Sequence, residues 1–215
     1  MSAVSCVASL SPGLADLATQ IALPIAVAPI DSPFMALDQP GQRLLVARDG
    51  IYLEVLSPSL YARTRIGTLQ SPYGELNECL TLPHGPIPAS ILMQLADLAL
   101  SAHPHEMAAL VLADASCDAR YRIHIPSARG SHSAVHYDDT GYSSDALVID
   151  AHSHGFWTAT FSATDDASDR SRVEPHISVV FGQCGSRISL GLRSRLCIGA
   201  HLIPMGLPDM RRLFV

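Results

Sequence analysis

The sequence predicts an α/β or α+β domain built on a mixed β-sheet with flanking helices. Three observations predict this fold: one segment with the apolar spacing of an amphipathic helix, several apolar runs with the composition of buried strands, and an Asp-Gly pair typical of a hairpin. The chain has 215 residues, of which 48% are hydrophobic. It is therefore long enough to bury a substantial core.

Composition excludes several classes of protein. The net charge of −6 argues against a nucleic-acid-binding protein, which would be basic. The five cysteines are scattered and odd in number, so we expect reduced thiols in a cytoplasmic protein rather than a disulfide framework or a cysteine zinc site. The apolar stretch at residues 17–30 is too short to cross a bilayer, and no membrane partner is expected.

Residues 1–43 are predicted to form an N-terminal extension of unassigned role. Prolines recur through this region, and only a helix or turn-rich arm over residues 14–22 is expected there. Residues 44–215 are predicted to form the domain that carries the chemistry.

The first regular structure is a predicted hairpin. Two β-rich runs within residues 43–56 flank Arg48-Asp49-Gly50, and Asp-Gly is a strong hairpin signal. Prolines and glycines then punctuate residues 57–87, which are predicted to be loop with short strands.

Residues 88–102 have the clearest helical pattern. Pro88 suits the first turn of a helix, and His103-Pro104 ends the pattern. One apolar face results from residues spaced by three and four, namely Ile91, Leu92, Leu95, Leu98 and Ala99.

The remainder of the chain is predicted to consist mainly of strands. A polar loop is expected at residues 126–145 and a short helix after residue 162. The predicted strands are residues 106–113, 121–125, 146–154, 176–181 and 187–198.

The most informative segment directly follows one of these strands. From His152 to Asp165 it reads HSHGFWTATFSATD, which spaces two histidines, a serine and an aspartate as His-x-His, seven residues, Ser, two residues, Asp. Side chains two apart on a strand share a face, so both imidazoles can reach one ion. Ser162 is a candidate helix cap that would place Asp165 in the first turn, near the strand end. Two imidazoles and a carboxylate are the protein ligands of many catalytic zinc sites, so the segment predicts a metallohydrolase.

This spacing resembles the JAMM (JAB1/MPN/Mov34) metalloprotease family, whose motif is Glu followed by His-x-His-Pro-x6-Ser-x2-Asp. Glu106 lies where that family has its glutamate, directly after the predicted helix. The resemblance covers roughly residues 44–200. It implies a JAMM/cytidine-deaminase-like mixed sheet and Zn²⁺ bound by His152, His154 and Asp165. It also implies Glu106 as the general base and Ser162 as a hydrogen-bond donor to the oxyanion.

One position departs from the family pattern. Gly155 stands where the family has proline after the second histidine. Because proline is not a ligand, we expect the chemistry to survive, with a more flexible loop and altered placement of the substrate.

The resemblance also implies a substrate. JAMM enzymes hydrolyse isopeptide or peptide bonds after the C-terminal tail of ubiquitin or a ubiquitin-like protein. The divergent N-terminal region is similar to bacterial members, and most similar to protein A of the PRTRC cassettes carried by plasmids and mobile elements. The implied partners are a ubiquitin-like protein or its conjugates, with E1-like (ThiF) and E2-like proteins of the same cassette.

Each motif residue also has an ordinary structural interpretation. With ten histidines in the chain, a His-x-His pair is unsurprising, Ser162-x-x-Asp165 can be a plain capping box, and Glu106 can be a surface residue. The conjunction at one fixed spacing favours the metal site. Two alternatives for function stay open: a catalytically silent scaffold and a metallohydrolase acting on a small amide. A closed pocket would favour the small amide, and an open groove would favour a protein tail.

Several further residues are weaker candidates. His132 and His136 could be spare ligands but are more simply an exposed loop pair, in a loop that could gate the site. Asp150 could orient His152 from the same strand face, although a hydrogen-bonded strand-end carboxylate is the slightly favoured interpretation. Cys184 has no histidine partner in the sequence, so a thiol nucleophile is not expected.

Phe156 and Trp157 directly follow the histidine pair. They could line a groove for an extended peptide tail, or they could pack in the core against the sheet. The sequence gives these two interpretations about equal weight.

Overall fold

The computed structural model describes residues 22–116, 120–126, 128–131, 134–137 and 142–215, with side chains omitted at 128–131 and 134–137. The helix predicted over residues 14–22 lies outside this part of the chain except for its last residue. His132 lies outside it as well.

The first β-sheet contains the predicted hairpin. Ala47 pairs with Gly50 across a two-residue turn at Arg48-Asp49, which confirms that prediction. The first strand is parallel to the second, and the other neighbours are antiparallel. The five strands lie in chain order: β1 (Ile25–Val27), β2 (Gly41–Ala47), β3 (Gly50–Leu56), β4 (Tyr61–Thr68) and β5 (Cys79–Thr81).

Strand β4 is longer than the sequence predicted. Residues 57–87 were expected to be loop with short strands, yet β4 has eight residues. Ala62 and Thr64 are buried on one face of β4. The composition of β4 does not by itself predict a strand, and pairing with β3 stabilises it. The predicted domain boundary after residue 43 falls inside β2 and stays a prediction.

The second sheet is mixed, as predicted. The strands after residue 105 are β6 (Ala108–Ala113), β7 (Tyr121–His124), β8 (Ala128–Ser131), β9 (Ala134–Tyr137), β10 (Leu147–Ser153), β11 (His176–Gly182), β12 (Gly191–Ile198) and β13 (His201–Met205). Six of them form the second sheet in the order β13-β12-β11-β10-β6-β7, in which β10 and β11 are parallel and the other neighbours are antiparallel.

The helices are α1 (Ala89–Ala102), α2 (Ala163–Ser171) and α3 (Leu207–Leu213). Helix α1 confirms the predicted helix, and its buried residues are Ile91, Leu95 and Ala99. These three residues belong to one core cluster that also contains Leu53 of the first sheet and Val179 of the second. The apolar face of α1 therefore lies in a core to which both sheets contribute residues.

Several short elements were not predicted. Residues 126–145 were expected to be loop, but β8 and β9 pair there as a small two-stranded sheet, and residues Ser144–Ala146 form a 3-10 turn. Strand β13 and helix α3 were also missed. All of these elements are short, and none has the apolar periodicity on which the predictions depended.

The connection from β10 through α2 to β11 determines where the site lies. Parallel neighbouring strands need a crossover, and here the crossover contains α2. The chain leaves the end of β10 and enters α2 after nine residues, 154–162. No helix in the described residues is long and apolar enough to cross a membrane.

Candidate metal centre

The two motif histidines lie at the end of β10. His152 is the penultimate residue of the strand, and the His154 amide donates to the Phe181 carbonyl at 2.9 Å, which extends the pairing with β11 beyond the strand. The backbone therefore stays extended through both residues, and their side chains share a face. The two imidazole ring centroids are 5.0 Å apart.

Asp165 approaches the histidines from the first turn of α2. The Asp165 amide donates to the Ser162 hydroxyl oxygen at 3.2 Å, and the Ser162 amide donates to Asp165 Oδ2 at 2.6 Å. This capping box confirms Ser162 as the predicted N-cap. It also restrains the carboxylate, because one of its oxygens is bonded to the backbone of the cap.

The carboxylate faces both imidazoles. Asp165 Oδ1 lies 3.3 Å from His152 Nε2, and Oδ2 lies 3.5 Å from His154 Nε2. Burial by itself would raise the pKa of Asp165, but the two histidines that face its carboxylate outweigh burial and hold that pKa well below its usual range. The hydrogen bond with Asp165 raises the pKa of His154. The group thus attracts positive charge, and a metal ion would replace protons when it binds.

The residues present fit a metal ion. The donor atoms of His152, His154 and Asp165 all lie within 4.8 Å of one another. His152 Nε2 is buried and makes no hydrogen bond despite the carboxylate nearby, although buried polar atoms are normally satisfied. Two imidazole nitrogens and one carboxylate oxygen are the ligands of a three-residue zinc site with one position left for water.

All five site residues predicted from the sequence line one cavity of about 520 Å³: Glu106, His152, His154, Ser162 and Asp165. Glu106 is exposed and lies just before β6, next to β10 in the sheet. The hydrogen bond that Asp165 accepts is the largest cause of the raised pKa of His154, and the charge of Glu106 is a smaller cause. The structure therefore brings the glutamate to the same site as the three candidate ligands.

Ser153, which the sequence analysis overlooked, connects the glutamate segment to the histidine pair. The Met107 amide donates to the Ser153 hydroxyl at 2.9 Å, and the Ser153 amide donates to the Met107 carbonyl at 3.0 Å. Ser153 is completely buried. Its position between two histidines on a strand was the available signal, because alternation puts it on the opposite, buried face, where a hydroxyl needs a partner.

Two arginines were also overlooked. Arg172 donates to Asp150 from Nε at 2.9 Å, and its Nη2 lies 2.6 Å from the same oxygen, Oδ2. This contact makes Asp150 a bonded strand-end carboxylate, the interpretation that the sequence slightly favoured. Arg195 is buried in β12, directly before the apolar residues 196–198. Arginine is rarely buried without a partner, but Arg193 on the same strand is exposed, so no sequence signal separated the two arginines.

Gly155 has a conformation that explains the departure from the family motif. Its φ is +53°, and a Cβ atom there would lie 2.5 Å from the Pro104 carbonyl oxygen. Proline, with φ restricted to about −65°, cannot adopt this conformation. The loop is held by backbone hydrogen bonds from Cys184 to Gly155 at 2.8 Å and from Trp157 to His154 at 3.0 Å.

Phe156 and Trp157 are 71% and 76% exposed, so their interpretation as core residues is wrong. Trp157 lines the cavity. The Phe156 ring lies edge-on to the His103 ring, with centroids 4.3 Å apart. Trp157 is therefore available at the mouth of the site, whereas Phe156 lies against His103.

Cys184, the remaining candidate whose side chain is described, is not among the donor atoms grouped around the histidines. Cys184 is buried, and burial raises the pKa of its thiol, which disfavours the thiolate that a nucleophile requires. His136 belongs to β9, for which only the backbone is described.

Comparison with known proteins gives matches to two family models and to several solved structures. The family model of prokaryotic homologs of the JAB domain matches residues 88–195. A domain of unknown function, DUF2016, matches residues 14–83. A solved structure described as "JAMM: A Metalloprotease-like Zinc Site in the Proteasome and Signalosome" is 19% identical, covers 55% of this chain and 91% of its own, and has a TM-score of 0.31. No curated protein matches the chain.

Proposed function

We propose that this chain, which belongs to the prokaryotic homologs of the JAB domain, is a zinc-dependent peptidase or isopeptidase acting on a ubiquitin-like protein. Family membership suggests a metalloprotease-type hydrolase, and the matched residues 88–195 include every predicted site residue. The observation that carries the proposal is the convergence of His152, His154 and Asp165 beside Glu106 in one cavity.

The chemistry of the donors supports zinc as the metal. His152 and His154 would bind it through Nε2, and Asp165 through a carboxylate oxygen. Imidazole ligands favour zinc over magnesium or calcium, which prefer oxygen donors. When bound, the ion would lower the pKa of a water molecule and polarise the scissile carbonyl.

Glu106 and Ser162 would handle the proton and the developing charge. Glu106 would accept a proton from the attacking water and deliver it to the nitrogen of the leaving amine as the C–N bond breaks. The Ser162 oxygen already accepts the Asp165 amide hydrogen. Its own hydroxyl hydrogen therefore remains to be donated to the oxygen of the former carbonyl, where negative charge builds up.

The lining of the cavity supports an extended polypeptide as substrate. An extended chain presents an amide and a carbonyl at each residue, and all of them need partners. The lining contains the hydroxyls of Thr158 and Thr160, with exposed Trp157 beside them. We propose that the C-terminal tail of a ubiquitin-like protein lies along this site, paired to a sheet edge.

The wider setting is also part of the proposal. The resemblance to protein A of the PRTRC cassettes points to a ubiquitin-like partner encoded with E1-like and E2-like proteins. Cys79, Cys184 and Cys197 are free thiols in the described part of the chain, which supports a cytoplasmic location.

The test uses the full chain loaded with zinc and the cassette's ubiquitin-like protein fused through its C-terminal tail to a reporter. Cleavage is followed by intact mass, and metal content is measured alongside. We expect about one zinc per chain and a cut directly after the tail. Glu106→Gln should retain zinc and lose at least about a hundredfold in rate, because it removes the base.

His154→Ala should lose the metal, and His201→Ala, at an exposed histidine on β13, should keep both zinc and activity. Absence of zinc from the wild type after zinc is supplied would overturn the catalytic proposal in favour of a scaffold. Wild-type cleavage by Glu106→Gln would remove the assigned base. Cleavage of short amides but not of the fusion would point to a small substrate.

A further inference from the structure

Helix α2, which carries Asp165, has no apolar face. It reads ATDDASDRS, and its single buried residue is Asp169. A helix normally docks on a sheet through a stripe of apolar side chains. Some other interaction must therefore hold α2 in the position that brings Asp165 to the histidines.

Arg195 of β12 provides that interaction. Its Nε donates to Asp169 Oδ2 at 2.7 Å, Nη2 lies 2.7 Å from the same oxygen, and Nη1 donates to Asp166 Oδ1 at 2.5 Å. The two aspartates lie three apart on α2 and so share a face. The planar guanidinium, with five donors in a fixed fork, holds both carboxylates at once.

An aromatic ring and two further buried polar side chains surround the contact between Arg195 and Asp169. The Phe161 ring lies under the guanidinium, with 3.8 Å from the central carbon to the ring centroid. Asp169 also contacts His176 Nε2 at 3.5 Å and accepts from Cys197 Sγ at 3.2 Å. Arg195, Asp169, His176 and Cys197 are all buried, so this group is an interior network rather than a surface ion pair.

The ion-pair network around Arg195 lies next to Asp165, the candidate metal ligand on α2. Asp166 directly follows Asp165, and Asp169 lies one helical turn further along. A change in the position of α2 would therefore move the Asp165 carboxylate relative to the imidazoles. Metal sites depend strongly on groups that orient the ligands without touching the ion.

We propose that Arg195 is a positioning residue, which holds α2 on the sheet through Asp166 and Asp169 and so places Asp165 opposite His152 and His154. Its effect on metal binding rests on the function proposed above. Its effect on the order of α2 does not, and the two can be measured separately.

The same network could be mistaken for a second metal site, since donor atoms of Asp169, His176 and Cys197 lie within 4.8 Å of one another. Two features argue against a second ion. Arg195 already supplies a positive charge to the Asp169 carboxylate. Burial raises the pKa of the Cys197 thiol, which opposes formation of the thiolate that would bind a metal.

The test compares Arg195→Met with Arg195→Lys, and with Arg193→Met as the matched control at an exposed position on the same strand. Zinc affinity is measured by competition with a chromogenic chelator. Hydrogen exchange of the α2 amides is measured in zinc-free protein. We expect Arg195→Met to bind zinc about 10- to 100-fold more weakly and to exchange its α2 amides faster, while β11 stays protected. Arg195→Lys should recover part of both effects, and Arg193→Met should match the wild type.

If Arg195→Met does not fold, Asp166→Asn provides the same test, because it weakens the contact with Arg195 at a partly exposed carboxylate, which also lies 3.5 Å from Arg170 Nη1. It should show smaller changes in the same direction. Hydrogen exchange of the α2 amides that is unchanged in Arg195→Met, or in Asp166→Asn where that variant is used, would overturn the inference. Two zinc ions bound per wild-type chain would overturn it as well. A wild type without zinc would sink the proposed function, and the exchange measurement would still decide whether Arg195 holds the helix.

Discussion

Helices α1 and α2 lie on opposite faces of the six-stranded sheet and are attached to it by different forces. Helix α1 buries Ile91, Leu95 and Ala99 in the main core, where Ile149 and Ala151 of β10 meet them. On the other face of β10, where Asp150 and His152 point, α2 buries a single aspartate.

The two helices show that the forces that stabilise a fold can differ from those that place a ligand. Apolar burial is strong and has no preferred direction, so α1 contributes much stability without fixing any atom closely. Ion pairs in the interior lose much of their attraction to desolvation. They nevertheless have fixed distances and directions, which suits a helix that must present one carboxylate to two imidazoles.

The largest expected effect in this comparison comes from Leu95→Ala in α1. Leu95 is completely buried, so its truncation should cost about 2–5 kcal/mol in the free energy of unfolding, measured by urea denaturation. Zinc affinity should stay within about twofold, because packing under α1 does not orient the ligands. Met93→Ala, at a side chain 57% exposed on the same helix, is the control and should change stability by less than about 0.5 kcal/mol. A Leu95→Ala protein that folds but loses zinc would show that core packing also positions the site.

A smaller effect is expected from Gly155→Ala, in the loop between β10 and α2. The positive φ of Gly155 would cost alanine about 1–3 kcal/mol, and the contact with the Pro104 carbonyl would add to that. Because Gly155 follows His154 directly, zinc affinity should fall as well. Gly199→Ala tests the backbone effect alone, since Gly199 also has a φ of +53° but a Cβ atom there would meet nothing within 4 Å. Equal zinc affinity in the two variants would contradict this account.

The smallest expected effect is a loosening of α2 by acid. Burial by itself raises the pKa of Asp169, but bonding and charge from His176 and Arg195 outweigh it and lower the pKa to about 2 from the ordinary 3.8. With the folded pKa depressed, the carboxylate contributes its full stabilisation above the ordinary value and loses it as the pH falls towards 2. The difference corresponds to about 2 kcal/mol.

This contribution can be isolated by urea unfolding of the zinc-free protein at about pH 6 and about pH 2.5, with Asp169→Asn for comparison. The wild type should lose more stability than the variant over this interval, because the variant has no carboxyl to protonate at that position. An identical loss in both proteins would show that Asp169 does not hold α2 through its charge.

Much of the fold and the candidate ligands could be predicted because they have local patterns. The spacing of Ile91, Leu95 and Ala99 predicted α1. The alternation of side chains along a strand predicted that His152 and His154 share one face at the end of β10. The capping preference of Ser162 placed Asp165 in a first turn. In each case the partners lie within a few residues, so the sequence carries the relation directly.

Other parts of the site depend on contacts between residues far apart in the chain. Ser153 bonds Met107 across 46 positions, and Arg195 reaches Asp169 across 26. The clash that excludes a Cβ at Gly155 comes from Pro104 on another segment. Strands β8 and β9 pair without an apolar pattern of their own.

The sequence by itself determined that this chain has an amphipathic helix, a mixed sheet and a His-x-His, Ser and Asp set spaced for one metal ion. The resemblance to the JAMM motif implied that Glu106 joins that set, and the folded chain brings it into the same cavity. The tertiary structure alone decided that Trp157 faces solvent at the mouth of the cavity and that α2 is docked by Arg195. The reason is that periodicity and capping act along the chain over a few residues. Charge pairing and close approach act through space, and only the folded chain brings their partners together.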